Sequence, residues 1–301
     1  MFGSPKSTNL TCCISFDFDA MSSWIGSAKS NDPAMVSRGQ FGAVALPRIL
    51  ALLRKYSVTG SFAVPGHTAY AYPDLVRAIA DDGHEILHHG WVHENPAHLD
   101  PAAELEVLKR GIAALERVVG EPPRGYRSPA WSLSLASLTL LHEHGFLYDS
   151  SCMGHDYYPY YLRPDDKWSH DGAYQFGETV ELIEMPVSWG LDDFPLSEYV
   201  PGFNQGLRPA SELEELWRGD FDYALSNAPG GVFVLTLHPQ VVGRGNRMLM
   251  LERLLDYFSS CKGVHFRRLD DYAKSWKRTN PLATWILENP DLIGKNSIAD
   301  G

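Results

Sequence analysis

Residues 83–96 read GHEILHHGWVHENP, and the fold turns on how this stretch is parsed. His84 to His88 is short and apolar at its centre, and it follows an Asp-Asp-Gly turn, which predicts a buried strand over Gly83–His88. Immediately after it, His89 and His93 stand at i and i+4. On one helical turn their side chains would share a face, with Cβ atoms about 5–6 Å apart. Neutral imidazole is the commonest metal ligand, so such a pair could grip one ion. A histidine pair where a strand gives way to a loop or helix is where α/β folds keep their chemistry. By itself the spacing is weak, because twelve histidines in 301 residues produce it by chance. His84, His88 and His98 read as structural; His88 competes with His89 for ligand duty, but only His89 is spaced correctly to His93.

A second strand carries acids. Thr11–Phe18 (TCCISFDF) reads as a buried central strand with Asp17 inside it and Asp19 just beyond. Two carboxylates beside an apolar strand are costly to bury unless they are paired or face a cation. The plainer alternative is that Asp19 caps a turn into the following loop. That loop, Ala20–Gly42, is polar, rich in Gly and Ser, and long enough to suggest a functional segment. A helix is expected around Leu46, Ile49, Leu50 and Leu53 with Pro47 in its first turn, then a strand over Thr59–Val64 and a helix over Pro73–Asp82. Leu105, Leu108, Ile112 and Leu115 set a helical period over Pro101–Val119. A short strand over Gly125–Pro129, a helix over Leu135–His144 and a strand-like Phe146–Tyr148 leading to Asp149 continue the alternation. Strand-helix alternation implies parallel strands joined by right-handed crossovers.

The rhythm breaks from Ser150 to Pro209. Tyr157, Tyr158, Tyr160, Tyr161 and Trp168 crowd together with Arg163, either simply packing or forming a lid or substrate wall. A strand is expected over Val180–Val187. Regularity returns with a helix near Ser211–Ser226 and a continuous apolar strand, Gly231–Leu237, ending in His238. A helix over Met248–Ser259, a strand over Val264–Phe266 and a helix over Asp270–Lys277 close the core. The tail, 279–301, carries Leu282, Trp285 and Ile286, which could cover a neighbour or a second subunit. No repeat or linker interrupts the chain, so one domain is expected over 1–301 with its core at about 11–277.

Composition narrows the partners. The net charge is −11 and no Lys/Arg cluster stands out in the sequence, which argues against nucleic acid and anionic membranes. Residues 1–10 lack the apolar run of a signal peptide, and no spanning helix is visible, so a cytoplasmic location is expected. Four scattered cysteines with no C-x-x-C pair read as reduced thiols, and Cys152 is a poor nucleophile candidate beside a better assembled site.

The polar residues at strand ends are Asp17, Asp19, His89, His93, Arg127, Asp149 and His238. In a parallel barrel these ends meet at one mouth. Asp19, His89 and His93 then supply one carboxylate and two imidazoles, a three-ligand set with room for water. Asp17 is placed to accept a proton, Arg127 to hold Asp17 ionised, and His238 to protonate a leaving nitrogen.

The ordered strings S-F-D-F-D, H-G-W-V-H-E-N-P, R-S-P-A-W, Y-D-S-S and T-L-H-P resemble the five motifs of the polysaccharide deacetylase superfamily. They look most like its full-length branch without signal peptides, which holds peptidoglycan deacetylase-like proteins together with allantoinase and cyclic-imide hydrolases. Ser37–Gly42 (SRGQFG), and Glu184–Val187 followed by Leu191-Asp192-Asp193, look like that branch too. The resemblance implies a distorted (β/α) barrel of seven or eight strands. It also implies Asp17 as catalytic base, Asp19, His89 and His93 as metal ligands, Arg127 as positioner of the base, and His238 as general acid. Asp149 falls in a motif that lines the pocket and often supports that acid. The implied cofactor is a divalent metal, zinc first, with cobalt, nickel or manganese as alternatives. The implied reaction is removal of N-acetyl groups from a sugar or related amide. Ring opening of a small cyclic imide or allantoin-type amide is the alternative, a non-catalytic metal- or sugar-binding relative is the reading from another class, and a homo-oligomer is expected. There are departures: Phe18 separates aspartates that many members carry side by side, and Trp91 stands where extracellular deacetylases carry Ser or Thr.

Overall fold

The computed structural model describes residues 9–202 and 204–293. Residues 1–8 and 294–301, where the leader expectation and the end of the tail fall, lie outside the described residues, as does Phe203. The strands are β1 (Leu10–Asp17), β2 (Ser61–Val64), β3 (Glu85–His88), β4 (Gly125–Tyr126), β5 (Tyr148–Asp149), β6 (Tyr160–Tyr161), β7 (Ile183–Glu184), β8 (Tyr199–Val200), β9 (Asn204–Gln205), β10 (Val232–Leu237) and β11 (Val264–Phe266). One sheet runs in the order β10-β1-β2-β3-β4-β5-β7-β6, with β11 also on β1; β8 and β9 form a separate hairpin. Every pairing in the large sheet is parallel except β6 with β7. The sheet curls into a half-barrel, and a lone parallel bridge from Asp192 to Thr236 links the chain after β7 to β10.

β1 and β10 are buried along their whole length, as expected for strands covered on both faces. The helix Pro101–Val119 follows the expected bounds, with Asp100 as N-cap and Gly120 in the left-handed conformation at its end. Elsewhere the predicted strands are shorter than expected: Gly125–Pro129 reduces to β4, and Val180–Val187 to β7.

Two expectations need correction. The stretch Ala20–Gly42 is not an open loop. It contains a π-helical turn at Ser23–Ser27 and the start of a helix that runs Pro33–Lys55, so Pro47 lies on the exposed side of the helix interior rather than in its first turn. The buried face of that helix begins with Gly39, Gly42 and Ala45, which leaves no apolar period to read. Gly39 is there for contact: a Cβ would sit 2.2 Å from the carbonyl oxygen of Ala20, so only glycine lets the helix press on the backbone beside Asp19.

The second correction concerns the tail. Helix Leu282–Glu288 folds back on its own barrel, where Trp285 is 4% exposed and its ring lies 5.4 Å from Tyr161 and 6.4 Å from Trp276. Leu282 and Ile286 pack on the same cluster. The apolar residues set aside for a neighbour therefore serve this chain. Trp285→Ala is expected to cost about 3–5 kcal/mol of unfolding free energy, measured by chemical denaturation; a loss below 1 kcal/mol would mean the tail is only loosely seated. Among the described residues no helix is long and apolar enough to cross a membrane.

Candidate active site

The mouth of the half-barrel gathers six of the seven predicted strand-end residues. Asp17 closes β1 and Asp19 follows two residues on; His89 leaves β3, Arg127 leaves β4 and His238 leaves β10. His89 and His93 are not on a helical turn. Gly90 (φ +73°) and His93 (φ +63°) both take left-handed conformations, and the Glu94 carboxylate accepts hydrogen bonds from the Trp91 and Val92 amides at 3.1 and 2.8 Å. This tight bend brings the two rings to 4.8 Å between centroids at 80°. The opposing turn can approach because Gly26 has no Cβ; one would stand 1.9 Å from the carbonyl oxygen of Val92.

Hydrogen bonds fix the tautomer of both rings. His89 Nδ1–H donates to the Arg127 carbonyl at 2.7 Å, leaving Nε2 as a lone-pair donor. The single hydroxyl proton of Ser27 goes to the His93 carbonyl at 2.7 Å. Its Oγ therefore accepts from His93 Nδ1–H at 2.6 Å, and the His93 Nε2 lone pair is also free. Both Nε2 atoms face Asp19 Oδ1, at 3.4 and 3.7 Å. His89 Nε2 and Asp19 Oδ1 are buried and accept no hydrogen bond. Three acceptors aimed at one point with no proton between them fit a divalent cation, whose ligands must present lone pairs and whose imidazoles are held by their other nitrogen. Burial acts to raise the Asp19 carboxyl, but positive charge at His93, His89 and His238 outweighs it, so the site favours an ionised Asp19 facing a positive charge.

Among the described residues two further groups have the right residue types for a metal, Asp149-Cys152-Glu184 and Asp192-Asp193-His238. In the first, burial pushes both carboxyls and the thiol upward, favouring their protonated forms; in the second, Asp193 is already spent on His238.

Asp17 is 2% exposed and its Oδ1 accepts from Arg127 Nη1 at 2.8 Å. The Arg127 guanidinium is wholly buried and donates also to Ser15 Oγ, Ser150 Oγ and the Ser150 carbonyl, so it cannot turn away. Oδ2 of Asp17 points to the cavity, 3.9 Å from Nε2 of both His89 and His238. His238 is held twice by Asp193, whose Oδ1 accepts from its ring Nδ1 at 2.8 Å and from its backbone amide at 3.0 Å. Asp192 Oδ1 stands 3.5 Å from the same nitrogen. Burial works against charging His238, but Asp192, Asp193 and Asp19 push its pKa well upward, which favours the imidazolium form.

Asp149 is the exception. It is fully buried beside Glu184, accepts from Ser151 Oγ at 2.7 Å, and neither lines the cavity nor contacts His238. The partner of His238 is Asp193. The Asp192-Asp193 doublet was visible in the sequence, but the bridge that carries it across the mouth was not.

Above these groups is a cavity of about 620 Å³ with walls from Trp24, Trp131, Trp189, Phe194, Val200 and Pro201. Trp131 and Trp189 lie 4.5 Å apart between ring centroids. Ala130 (φ +55°) and Trp131 (φ +50°) are both left-handed, backbone strain that turns the indole over the site. The tyrosine-rich segment is elsewhere. Tyr157 and Tyr161 are core, Trp168 stacks on Tyr174, and Arg163 pairs with Asp166. The 20–42 segment does contribute, through Ser23, Trp24, Ser27 and Ala28.

Known proteins resemble this chain in sequence and fold over most of its length. A polysaccharide deacetylase family model matches residues 38–148. A peptidoglycan deacetylase of Helicobacter pylori is 32% identical over 279 residues, spanning 88% of this chain and 95% of its own. A crystal structure of a Mycobacterium smegmatis protein assigned as a polysaccharide deacetylase superposes with a TM-score of 0.80 at 34% identity, over 92% of this chain and 93% of that one. The PuuE allantoinase structure shares the fold with a TM-score of 0.75 at 23% identity, over 92% and 93% of the two chains. The chain belongs to the polysaccharide deacetylase family and is a hydrolase of non-peptide carbon–nitrogen bonds.

Proposed function

We propose that this protein is a metal-dependent amide hydrolase that removes N-acetyl groups from a sugar or a related amide, acting as one domain over residues 1–301. The observation that carries the proposal is the convergence of unshared lone pairs from Asp19, His89 and His93 beside Asp17 and a doubly held His238. Asp19, His89 and His93 would hold a divalent ion, zinc by its preference for nitrogen and carboxylate donors. Such an ion supplies Lewis acidity, acidifying water and polarising the carbonyl oxygen.

The remaining steps belong to side chains. Asp17 takes the proton of the attacking water on Oδ2, because Oδ1 is occupied by Arg127, and the guanidinium keeps the carboxylate oriented as the charge changes. The imidazolium of His238 donates its Nε2 proton to the departing nitrogen, while Asp193 holds Nδ1–H and so fixes which nitrogen faces the cavity. The apolar walls exclude water from the reacting bond.

The tryptophan walls also favour the second reading, ring opening of a compact cyclic amide, since flat aromatic faces suit a small planar ring. The relatives named for peptidoglycan favour the first. Metal titration tests the common core: chelation is expected to abolish hydrolysis of N-acetylglucosamine oligomers or succinimide, and one equivalent of zinc per chain to restore it. Turnover that persists after complete metal removal would overturn the proposal. Asp193→Ala is expected to lower kcat by about 10–100-fold, the scale of losing a residue behind a functional group, and, because Asp193 raises the pKa of His238, to move the alkaline limb of the pH–rate profile to lower pH, with zinc content unchanged.

A further inference from the structure

The SRGQFG string of residues 37–42 plays no part in the chemistry above, yet it lies in a cluster of arginines near the site. Arg38, Phe41 and Arg48 share helix Pro33–Lys55. Arg244 and Arg247 approach from the start of helix Gly245–Ser260, as its N-cap and first-turn residues. The Arg244 guanidinium lies 3.6 Å from the Phe41 ring centroid and that of Arg48 5.6 Å from the same ring, while Arg38 stands 4.7 Å over Trp24. In a chain with 37 acidic and 26 basic residues, arginines are expected to find carboxylates. Only Arg38 does, with Glu198; among the described residues Arg48, Arg244 and Arg247 have no carboxylate within ion-pair distance.

Their remaining contacts are also uneven. Arg247 donates to the carbonyls of Ser197 and Val241 at 2.7 and 3.0 Å, and Arg48 donates to that of Gly243 at 3.3 Å. The side chain of Arg244 donates no hydrogen bond among the described residues. Arg48 and Arg244 are exposed. Beyond burial, Arg244 depresses the pKa of Arg38 and Arg48 that of Arg244, as expected of neighbouring like charges, whereas at Arg247 the lowering by Arg244 is countered by the Asp193 carboxylate. The 16-residue helix that Arg244 caps has no acid in its first turn and no side-chain cap, so its positive end adds to the same field. A planar guanidinium with its donors unspent matches the two oxygens of a carboxylate or phosphate.

Two of the backing arginines contact segments that wall the catalytic cavity. Arg38 backs onto Trp24, a cavity wall, and the Ser197–Glu198 segment gripped by Arg247 and Arg38 leads into Val200 and Pro201, which line it.

We propose that Arg48 and Arg244, backed by Arg38 and Arg247, form a binding site for an oxyanion, carboxylate or phosphate, beside the catalytic cavity. As a subsite for the non-reacting end of a substrate, it rests on the amide-hydrolase reading; as a site for a free anion, it does not.

The test is calorimetric titration of the zinc-loaded full-length protein with inorganic phosphate and with succinate, in wild type and in Arg48→Gln/Arg244→Gln. Saturable binding that the double variant weakens about 10-fold or more is expected. Absence of saturable binding, or equal binding by the variant, overturns the site. Hydrolysis of N-acetylmuramic acid and N-acetylglucosamine then separates the sources of the anion. If the substrate carries it, the variant loses about 10-fold more kcat/KM on the anionic sugar than on the neutral one. If it is free, phosphate changes turnover of the neutral sugar in wild type and not in the variant. Anion binding without any amide hydrolysis would leave the site standing while the functional reading falls.

Discussion

Asp17→Asn is expected to lower kcat by about 10²–10⁴-fold with zinc content at the wild-type level. The substitution is nearly isosteric, and the amide oxygen can still accept from Arg127 Nη1, so the 2.8 Å contact that seats the side chain survives. What is lost is the basic Oδ2, the oxygen that faces both His238 and the ligand cluster at 3.9 Å. Asp19 is a separate residue with its own contacts to His89 and His93, so the ligand set is intact. Kinetics on the purified variant, paired with metal analysis, check both halves. A variant with normal turnover contradicts the assignment of the base; a variant without zinc would make Asp17 a ligand.

His93→Asn is expected to weaken zinc binding by more than about 10²-fold, since removing only a residue behind a ligand costs about 10–100-fold. Asparagine is chosen because the position has φ +63°, a conformation that Asn tolerates better than Ala. Metal loss is thereby separated from backbone strain. The fold should remain, because the loop is also tied by the Glu94 carboxylate and by the stacking of Trp91 under Arg110 at 3.8 Å. Competition with a metallochromic chelator gives the affinity, and circular dichroism checks the fold. Unchanged zinc affinity would remove His93 from the ligand set.

What could be read from the chain, and what could not, follows from how each feature is encoded. β1 and β10 are continuous apolar runs, and Pro101–Val119 has both a period and its end signals, so local sequence determines them. The proposed ligand and acid–base residues stand out in the sequence because Asp17, His89, Arg127 and His238 fall at the ends of β1, β3, β4 and β10, with Asp19 and His93 shortly beyond. The helix Pro33–Lys55 was hidden because its contact face begins in glycine, where close backbone approach replaces side-chain burial. The cavity walls were hidden for a different reason. Trp24, Trp131 and Trp189 come from three distant segments, and nothing local distinguishes them from the tyrosines near 160, which are equally aromatic but pack in or against the core. Asp193 likewise gains its role only when the Asp192–Thr236 bridge sets it against His238. Asp149, by contrast, has a motif position but is sealed behind Arg127 and Glu184.

The most direct test of the central claim is hydrolysis by the zinc-loaded protein of N-acetylglucosamine oligomers and of succinimide, run together with the Asp17→Asn variant. At least one amide should be cleaved, by acetate release or by ring opening, and the variant should cleave neither at a comparable rate. Equal cleavage by wild type and variant, or wild-type activity indifferent to zinc, would contradict that claim.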